Sequence, residues 1–80
     1  MNSDAIYAKL TDILRDVFDE DDLVATPDLT ADDVDGWDSL SHLRLVLTVQ
    51  KIFGVKFSAA ETGGFKRLGD LASLVAAKLG

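Results

Sequence analysis

Residues 38–54 have the sequence DSLSHLRLVLTVQKIFG, and this stretch decides the fold. Asp38 is a favourable helix-capping residue and Gly54 is a common left-handed terminator, so the stretch predicts a helix that runs to Phe53. At about 100° per residue, its apolar side chains divide between two opposite faces. The face predicted to pack in the core comprises Leu45, Val46, Val49, Ile52 and Phe53. The opposite face carries an apolar outer stripe, consisting of Leu40, Leu43 and Leu47, with Arg44 and Lys51 beside it.

The outer stripe has two possible explanations. A helix that is apolar on both sides should be buried all round, but a chain of 80 residues buries only about 60% of its unfolded surface. Either the loop before the helix folds back and covers the outer stripe, or the stripe is exposed and docks a partner protein. In the second case Arg44 and Lys51 would orient an acidic partner.

The sequence before this helix predicts another helix and then a long loop. The spacing of apolar residues up to Phe18 is helical, and Ser3 or Asp4 can cap its start. The acidic residues 19–22 end this helix, because negative charges are unfavourable at a helix C-terminus. Residues 23–37 have no helical pattern, and a connection of this length either folds on itself or has a function.

The sequence after residue 54 predicts two more helices and no strand. Ser58 and Glu61 have the spacing of a capping box, so a short helix is predicted to begin there. It is predicted to end at Gly63 and Gly64. Leucines at helical spacing over residues 68–79 predict the last helix. The predicted fold class is all-α, a small four-helix bundle with three longer helices, a short third helix and a long loop between the first two. We expect residues 1–80 to form a single domain.

Composition excludes several function classes. The chain has no cysteine, which removes disulfides, thiolate metal sites and a thiol nucleophile, and one histidine, which leaves few ways to build a zinc site. A net charge of −6 argues against nucleic acid and anionic membrane as partners. Neither a charged-then-apolar leader nor a long apolar run is present in the sequence. We therefore expect a cytoplasmic monomer without a metal site.

Asp38, Ser39 and His42 supply the residue types of a hydrolase triad. The helical angle places His42 toward the core, however, and no neighbouring residues suggest an oxyanion hole or a substrate pocket. We expect His42 to be a half-buried packing residue and the chain not to be an enzyme.

Charge is divided unevenly along the chain. Residues 1–38 contain twelve acidic residues against Lys9 and Arg15, a net charge of −10, whereas residues 39–80 have a net charge of +4. The acidic half can be explained as a solvated segment that keeps a small domain soluble, or as the approach to a functional segment. Charge alone does not distinguish these explanations.

Ser39 lies at the point where the charge changes. A serine in the first turn of a helix places its hydroxyl near unpaired backbone N–H groups and the positive end of the helix dipole. An anion attached there would be favoured, as phosphate groups are at helix N-termini. The alternative is that Ser39 is a second capping residue.

Residues 36–40, GWDSL, open an apolar helix after a long acidic loop, and in this setting they resemble the carrier-protein family of acyl and peptidyl carriers. The resemblance covers nearly the whole chain, including the helix that ends at Phe53, the short third helix and the closing amphipathic helix. It implies that Ser39 bears 4'-phosphopantetheine and that Asp38 and Leu40 are recognised by the transferring enzyme, with Asp38 assisting its magnesium. It also implies that partner enzymes dock on a set of residues in the second helix: Leu40, Leu43, Arg44, Leu47 and Lys51.

The resemblance further implies partners and a function. A phosphopantetheinyl transferase would modify the chain, and acyl- or aminoacyl-loading enzymes and downstream synthases of fatty acid, polyketide or nonribosomal peptide biosynthesis would use it. The arm would hold thioester intermediates on a thiol that the chain itself lacks. Housekeeping fatty-acid carriers are acidic along the second helix, whereas Arg44 and Lys51 occupy it here, which favours a discrete carrier of a specialised pathway. The alternative function is an unmodified helical interaction module that docks through the outer stripe.

Overall fold

The computed structural model describes residues 2–63 and 65–79, and these residues form four α-helices. The helices are α1 (Ser3–Phe18), α2 (Ser39–Phe53), α3 (Ala59–Gly63) and α4 (Leu68–Leu79). This confirms the predicted all-α class, with three longer helices and a short third one. The part of the predicted end of α3 that falls on Gly64 lies outside the described residues.

The core lies where α1 packs against both α2 and α4. Complete burial of an aliphatic side chain stabilises the fold by about 1.5–3 kcal/mol relative to exposure, so the positions without solvent contact identify what holds these helices together. The largest fully buried side chains are Ile6, Leu10, Leu14, Leu45, Val49, Leu68, Leu71 and Val75. They come from α1, α2 and α4, and α3 contributes no buried side chain.

The start of α1 differs from the prediction. The capping residue is Asn2, whose side-chain oxygen accepts a hydrogen bond from the Ala5 N–H at 2.8 Å. Ser3 is the first helical residue and Asp4 lies in the first turn, so neither caps the helix. The prediction was wrong by one or two residues because Asn is as good a cap as Ser or Asp, and the apolar spacing does not fix the first residue.

The predicted ends of α2 are confirmed. The Asp38 carboxylate accepts a hydrogen bond from the Ser41 N–H at 2.8 Å, and Gly54 ends the helix with a φ of 68°. The face of α2 that was predicted to pack in the core is its inner face. The prediction is confirmed for four residues of the inner face, because Leu45, Val46, Val49 and Phe53 are buried. Ile52 was wrongly assigned to the core.

Ile52 is 50% exposed because it stands at the rim of the core. It lines a groove of about 280 Å³ between α1 and α2, together with Ile13 and Thr48. Charged residues of α1, Lys9 and Asp12, line the same groove and leave this end of the inner face open to water.

The connection between α1 and α2 folds onto the start of α4. It contains a short 3-10 helix at Ala31–Asp33. The Pro27 and Leu29 carbonyl oxygens accept hydrogen bonds from the Gly69 and Leu68 N–H groups at 3.0 and 2.8 Å. These N–H groups belong to the first turn of α4 and have no partner within that helix. The loop therefore caps α4 and does not cover the outer stripe, so the first explanation of the outer stripe was wrong.

The predicted capping box at α3 is confirmed. The Ser58 N–H donates to the Glu61 carboxylate at 2.8 Å, and the Glu61 N–H donates to the Ser58 hydroxyl at 3.2 Å. The Lys78 ammonium lies 3.0 Å from the same carboxylate and connects α3 to α4. These bonds lower the pKa of Glu61, the Ser58 N–H contributing most and Lys78 next.

None of the helices in the described part of the chain combines the length and the apolar character that crossing a bilayer requires.

Candidate functional site

Ser39 is the first residue of α2, and its side chain is exposed. It lies beside an open groove of about 420 Å³ that is also lined by Ala31, Trp37, Asp38 and His42. The hydroxyl therefore lies at the protein surface, next to the backbone N–H groups of the first turn of α2. An anion attached there would be stabilised by the positive end of α2.

The turn that presents Ser39 is held by its neighbours. Gly36 has a φ of 83°, a conformation that glycine adopts without steric cost. The Ser41 hydroxyl donates to the Gly36 carbonyl oxygen at 2.9 Å, and the Ser41 N–H donates to Asp38 at 2.8 Å. Asp38 and Ser41 thus make the capping bonds of this turn. Ser39, which was considered as a second capping residue, does not make them.

Ser41 is a residue of the site that the sequence reasoning missed. The signal was present, because Ser41 stands three residues after the Asp38 cap, the position whose N–H an N-cap side chain usually binds. Its second role, the hydroxyl bond back to Gly36, depends on the path of the loop and has no local sequence pattern.

The carboxyl group of Asp38 is held in its charged form. The Ser41 N–H, which donates to this carboxylate, is the main cause of a lowered pKa. Asp38 is exposed, so the carboxylate faces solvent beside the Ser39 hydroxyl.

His42 does not pair with Ser39. Its Nδ1 accepts a hydrogen bond from the Trp37 indole N–H at 3.3 Å, and its Nε2 lies 3.2 Å from the Thr62 carbonyl oxygen. Both ring nitrogens thus have partners other than Ser39, so the triad geometry of a serine hydrolase is not formed. The prediction that His42 is half-buried is confirmed.

The outer stripe is exposed. Leu40, Leu43 and Leu47 are 67%, 53% and 54% exposed, and Arg44 and Lys51 are also exposed on the same helix. Three large apolar side chains at one surface, with two cations beside them, form a patch of the kind that binds proteins. The patch begins one residue after Ser39.

Within residues 2–63 and 65–79, no group of three or more His, Asp or Glu side chains is arranged to hold a metal ion.

An all-α bundle with an exposed serine at the tip of its second helix, and an apolar stripe beside that serine, has the architecture of a small carrier domain. The solution NMR structure of holo acyl carrier protein from Geobacter metallireducens is similar to this chain, with 43% sequence identity and a TM-score of 0.87. The match covers 92% of this chain and 85% of that one. The chain belongs to the acyl carrier protein family. No protein-family model and no curated protein sequence matches it.

Proposed function

We propose that this chain is an acyl or aminoacyl carrier that holds thioester intermediates on a 4'-phosphopantetheine arm attached to Ser39. The observation that carries the proposal is the exposed Ser39 hydroxyl at the first residue of α2, within an Asp-Ser-Leu triplet. The similarity to a carrier in its holo form supports it. The arm would supply the thiol, because the chain contains no cysteine.

Attachment of the arm is a phosphoryl-type transfer from coenzyme A. The Ser39 oxygen attacks the phosphorus that bears the pantetheine, and the bond from that phosphorus to the bridging oxygen breaks. Adenosine 3',5'-bisphosphate leaves, and the serine proton passes to a base of the transferase. The residues of this chain fit the step, because the hydroxyl is accessible and the α2 N-terminus favours the phosphodiester that forms.

Asp38 and Leu40 are the proposed recognition points for the transferase. The Asp38 carboxylate, which is charged and exposed, can attract the magnesium ion that the transferase brings with coenzyme A. Leu40 follows Ser39 directly and is the most exposed leucine of the outer stripe, so it offers an apolar contact beside the reacting hydroxyl.

The outer stripe, with Arg44 and Lys51, is the proposed docking surface for loading enzymes and downstream synthases. The two cations fit a partner that has an apolar pocket edged by carboxylates. This sign of charge favours service to a specialised pathway and not to a generic fatty-acid synthase. In this proposal the carrier acts as a cytoplasmic monomer, and its partners perform all bond cleavage.

The first experiment tests the attachment site. Apo protein is incubated with coenzyme A, magnesium and a broad-range phosphopantetheinyl transferase, and its mass is measured. We expect one phosphopantetheine increment on the native chain and on Ser41→Ala, which removes the neighbouring serine, and none on Ser39→Ala. A folded native chain that stays unmodified would overturn the proposal and favour the unmodified interaction module. An increment on Ser39→Ala would place the arm elsewhere.

The second experiment tests the docking surface. Arg44→Glu combined with Lys51→Glu reverses both cations beside the outer stripe, and we expect loading by the native partner to slow by about tenfold or more, because like charges then face each other. Lys56→Glu combined with Lys66→Glu makes the same charge change at exposed positions outside α2 and is the matched control. Equal loading rates for the two double variants would show that the docking surface lies elsewhere.

A further inference from the structure

His42 stands between the Ser39 turn and α3, and it binds both. The Trp37 indole N–H can only donate a hydrogen bond, so Nδ1 of His42, at 3.3 Å, is the acceptor. The Thr62 carbonyl oxygen can only accept, so Nε2, at 3.2 Å, carries the proton and donates. The two partners together select the neutral ring with its proton on Nε2.

Aromatic rings also pack around these two bonds. The His42 ring stacks on Phe65, with centroids 4.8 Å apart, and the Trp37 and His42 rings are tilted, with centroids 6.3 Å apart. Phe18, at the end of α1, packs against Trp37 at 5.2 Å, also in a tilted arrangement. The rings therefore surround the connection, and the two hydrogen bonds of His42 are its directional contacts.

Among the described residues, α3 is joined to its neighbours by polar bonds and not by burial of its own side chains. The helix has five residues and no buried side chain, so apolar burial of its own residues does not hold it against α2. Its side chains are linked to α4 by the partly exposed salt bridge between Glu61 and Lys78. The bond from His42 to Thr62 is its polar link to α2.

We propose that His42 is a positioning residue that couples the Ser39 turn to α3. Its Nδ1 binds Trp37, two residues before Ser39, and its Nε2 binds Thr62 in α3. A movement of Trp37 therefore shifts the ring and strains its bond to Thr62, and a movement of α3 strains its bond to Trp37. Coupling of this kind is reciprocal, so cargo or a partner that moves α3 would also change how Ser39 is presented. This inference rests on the proposed function only in taking Ser39 as the attachment point.

The first test perturbs one end of the connection and measures the other. Trp37→Phe removes the indole N–H but keeps an aromatic ring, and we expect the solvent-exchange rate of the Thr62 backbone N–H, measured by NMR, to rise roughly 3- to 10-fold. Phe18→Leu disturbs the packing of Trp37 but keeps its bond to His42, so we expect the Thr62 exchange rate to stay within about twofold. An unchanged rate in Trp37→Phe, or an equal rise in Phe18→Leu, overturns the coupling.

A double-variant cycle isolates the part played by the ring. Gln at position 42 can donate to Thr62 from the place of Nε2 but has no acceptor at the place of Nδ1, so His42→Gln keeps one bond and drops the other. In that background we expect Trp37→Phe to have no further effect on Thr62 exchange. An effect of undiminished size in the His42→Gln background shows that His42 does not carry the coupling.

A measurement on the native chain needs no variant to fold. Long-range ¹H–¹⁵N spectra at pH 8 report which nitrogen of His42 bears the proton, and we expect Nε2. A proton on Nδ1 would overturn the proposal, because that nitrogen could not then accept from Trp37.

Transferase kinetics connect the coupling to Ser39. We expect Trp37→Phe and His42→Gln to lower kcat for phosphopantetheine transfer by roughly 3- to 10-fold, with KM within about twofold, because the docking surface is unchanged. An unchanged kcat on a modified chain overturns the positioning role. A native chain that is never modified instead overturns the proposed function, while the exchange and tautomer measurements still test the coupling.

Discussion

The two faces of α2 carry the same kinds of residue in opposite surroundings. Leu45 is fully buried against the other long helices, whereas Leu43, two residues earlier, is more than half exposed. Both leucines cost the same to leave in water, so hydrophobicity alone does not say which one stabilises the bundle. The difference lies in what the fold places opposite each face, and it separates side chains that hold the chain together from those available to a partner.

The largest expected effect comes from truncating the inner face. Leu45→Ala removes a side chain without solvent contact and leaves a cavity, so we expect the free energy of unfolding to fall by about 2–5 kcal/mol. Leu43→Ala makes the same chemical change on the outer stripe, where we expect a change of about 0.5 kcal/mol or less. Urea unfolding followed by circular dichroism measures both. Losses of similar size would remove the distinction between the two faces.

Ile52 sharpens the comparison because it belongs to neither extreme. It follows the inner face in sequence, but half of its side chain is exposed at the groove between α1 and α2. Half the burial energy of an isoleucine predicts a loss of about 1 kcal/mol for Ile52→Ala, between the losses for Leu45→Ala and Leu43→Ala. If Ile52→Ala lowers the free energy of unfolding as much as Leu45→Ala in the same urea experiment, Ile52 is a core residue after all.

The features that sequence predicted well are those fixed by bonds over three or four residues. The Asp38 cap, the Gly54 terminator and the Ser58–Glu61 capping box are all of this kind, and the structure confirms each of them. The start of α2 could therefore be placed to the residue, and with it the position of Ser39.

One local signal was overlooked. Thr30 and Asp33 have the spacing of a capping box, and the Thr30 N–H donates to the Asp33 carboxylate at 3.0 Å at the start of the 3-10 helix. The prediction for residues 23–37 was a connection that either folds on itself or has a function, and it named no helix there. The short 3-10 helix is part of the way this connection folds.

The remaining features depend on residues far apart in sequence. The bonds from Leu68 and Gly69 to the loop carbonyls join segments about 40 residues apart, and backbone groups carry no residue signature. A Cβ on Gly69 would come within 3.0 Å of the Pro27 oxygen, so this glycine permits the contact, but its role is visible only once both segments are placed. The bonds of His42 to Trp37 and Thr62 are hidden for the same reason.

The smallest expected effect comes from removing the charge of Asp38 at the start of α2. Asp38→Asn keeps the capping oxygen and removes the charge, and Asn caps helices as well as Asp does. The hydrogen bond from the Ser41 N–H is the main cause of the lowered pKa of Asp38 in the folded chain, so the folded state binds this proton less readily than the unfolded state. The stability that this charge contributes is therefore present at neutral pH, and it is lost as the pH falls below about 4 and through the lowered pKa.

We thus expect Asp38→Asn to be slightly less stable than the native chain at pH 7, and the difference to narrow as the pH falls below about 4. Leu45→Ala should keep its full loss over the same pH range, because burial of an aliphatic side chain does not titrate. Urea unfolding at a series of pH values measures both differences. If Asp38→Asn is instead the more stable chain at pH 7, relief of repulsion in a chain of net charge −6 outweighs the hydrogen bonds to the carboxylate.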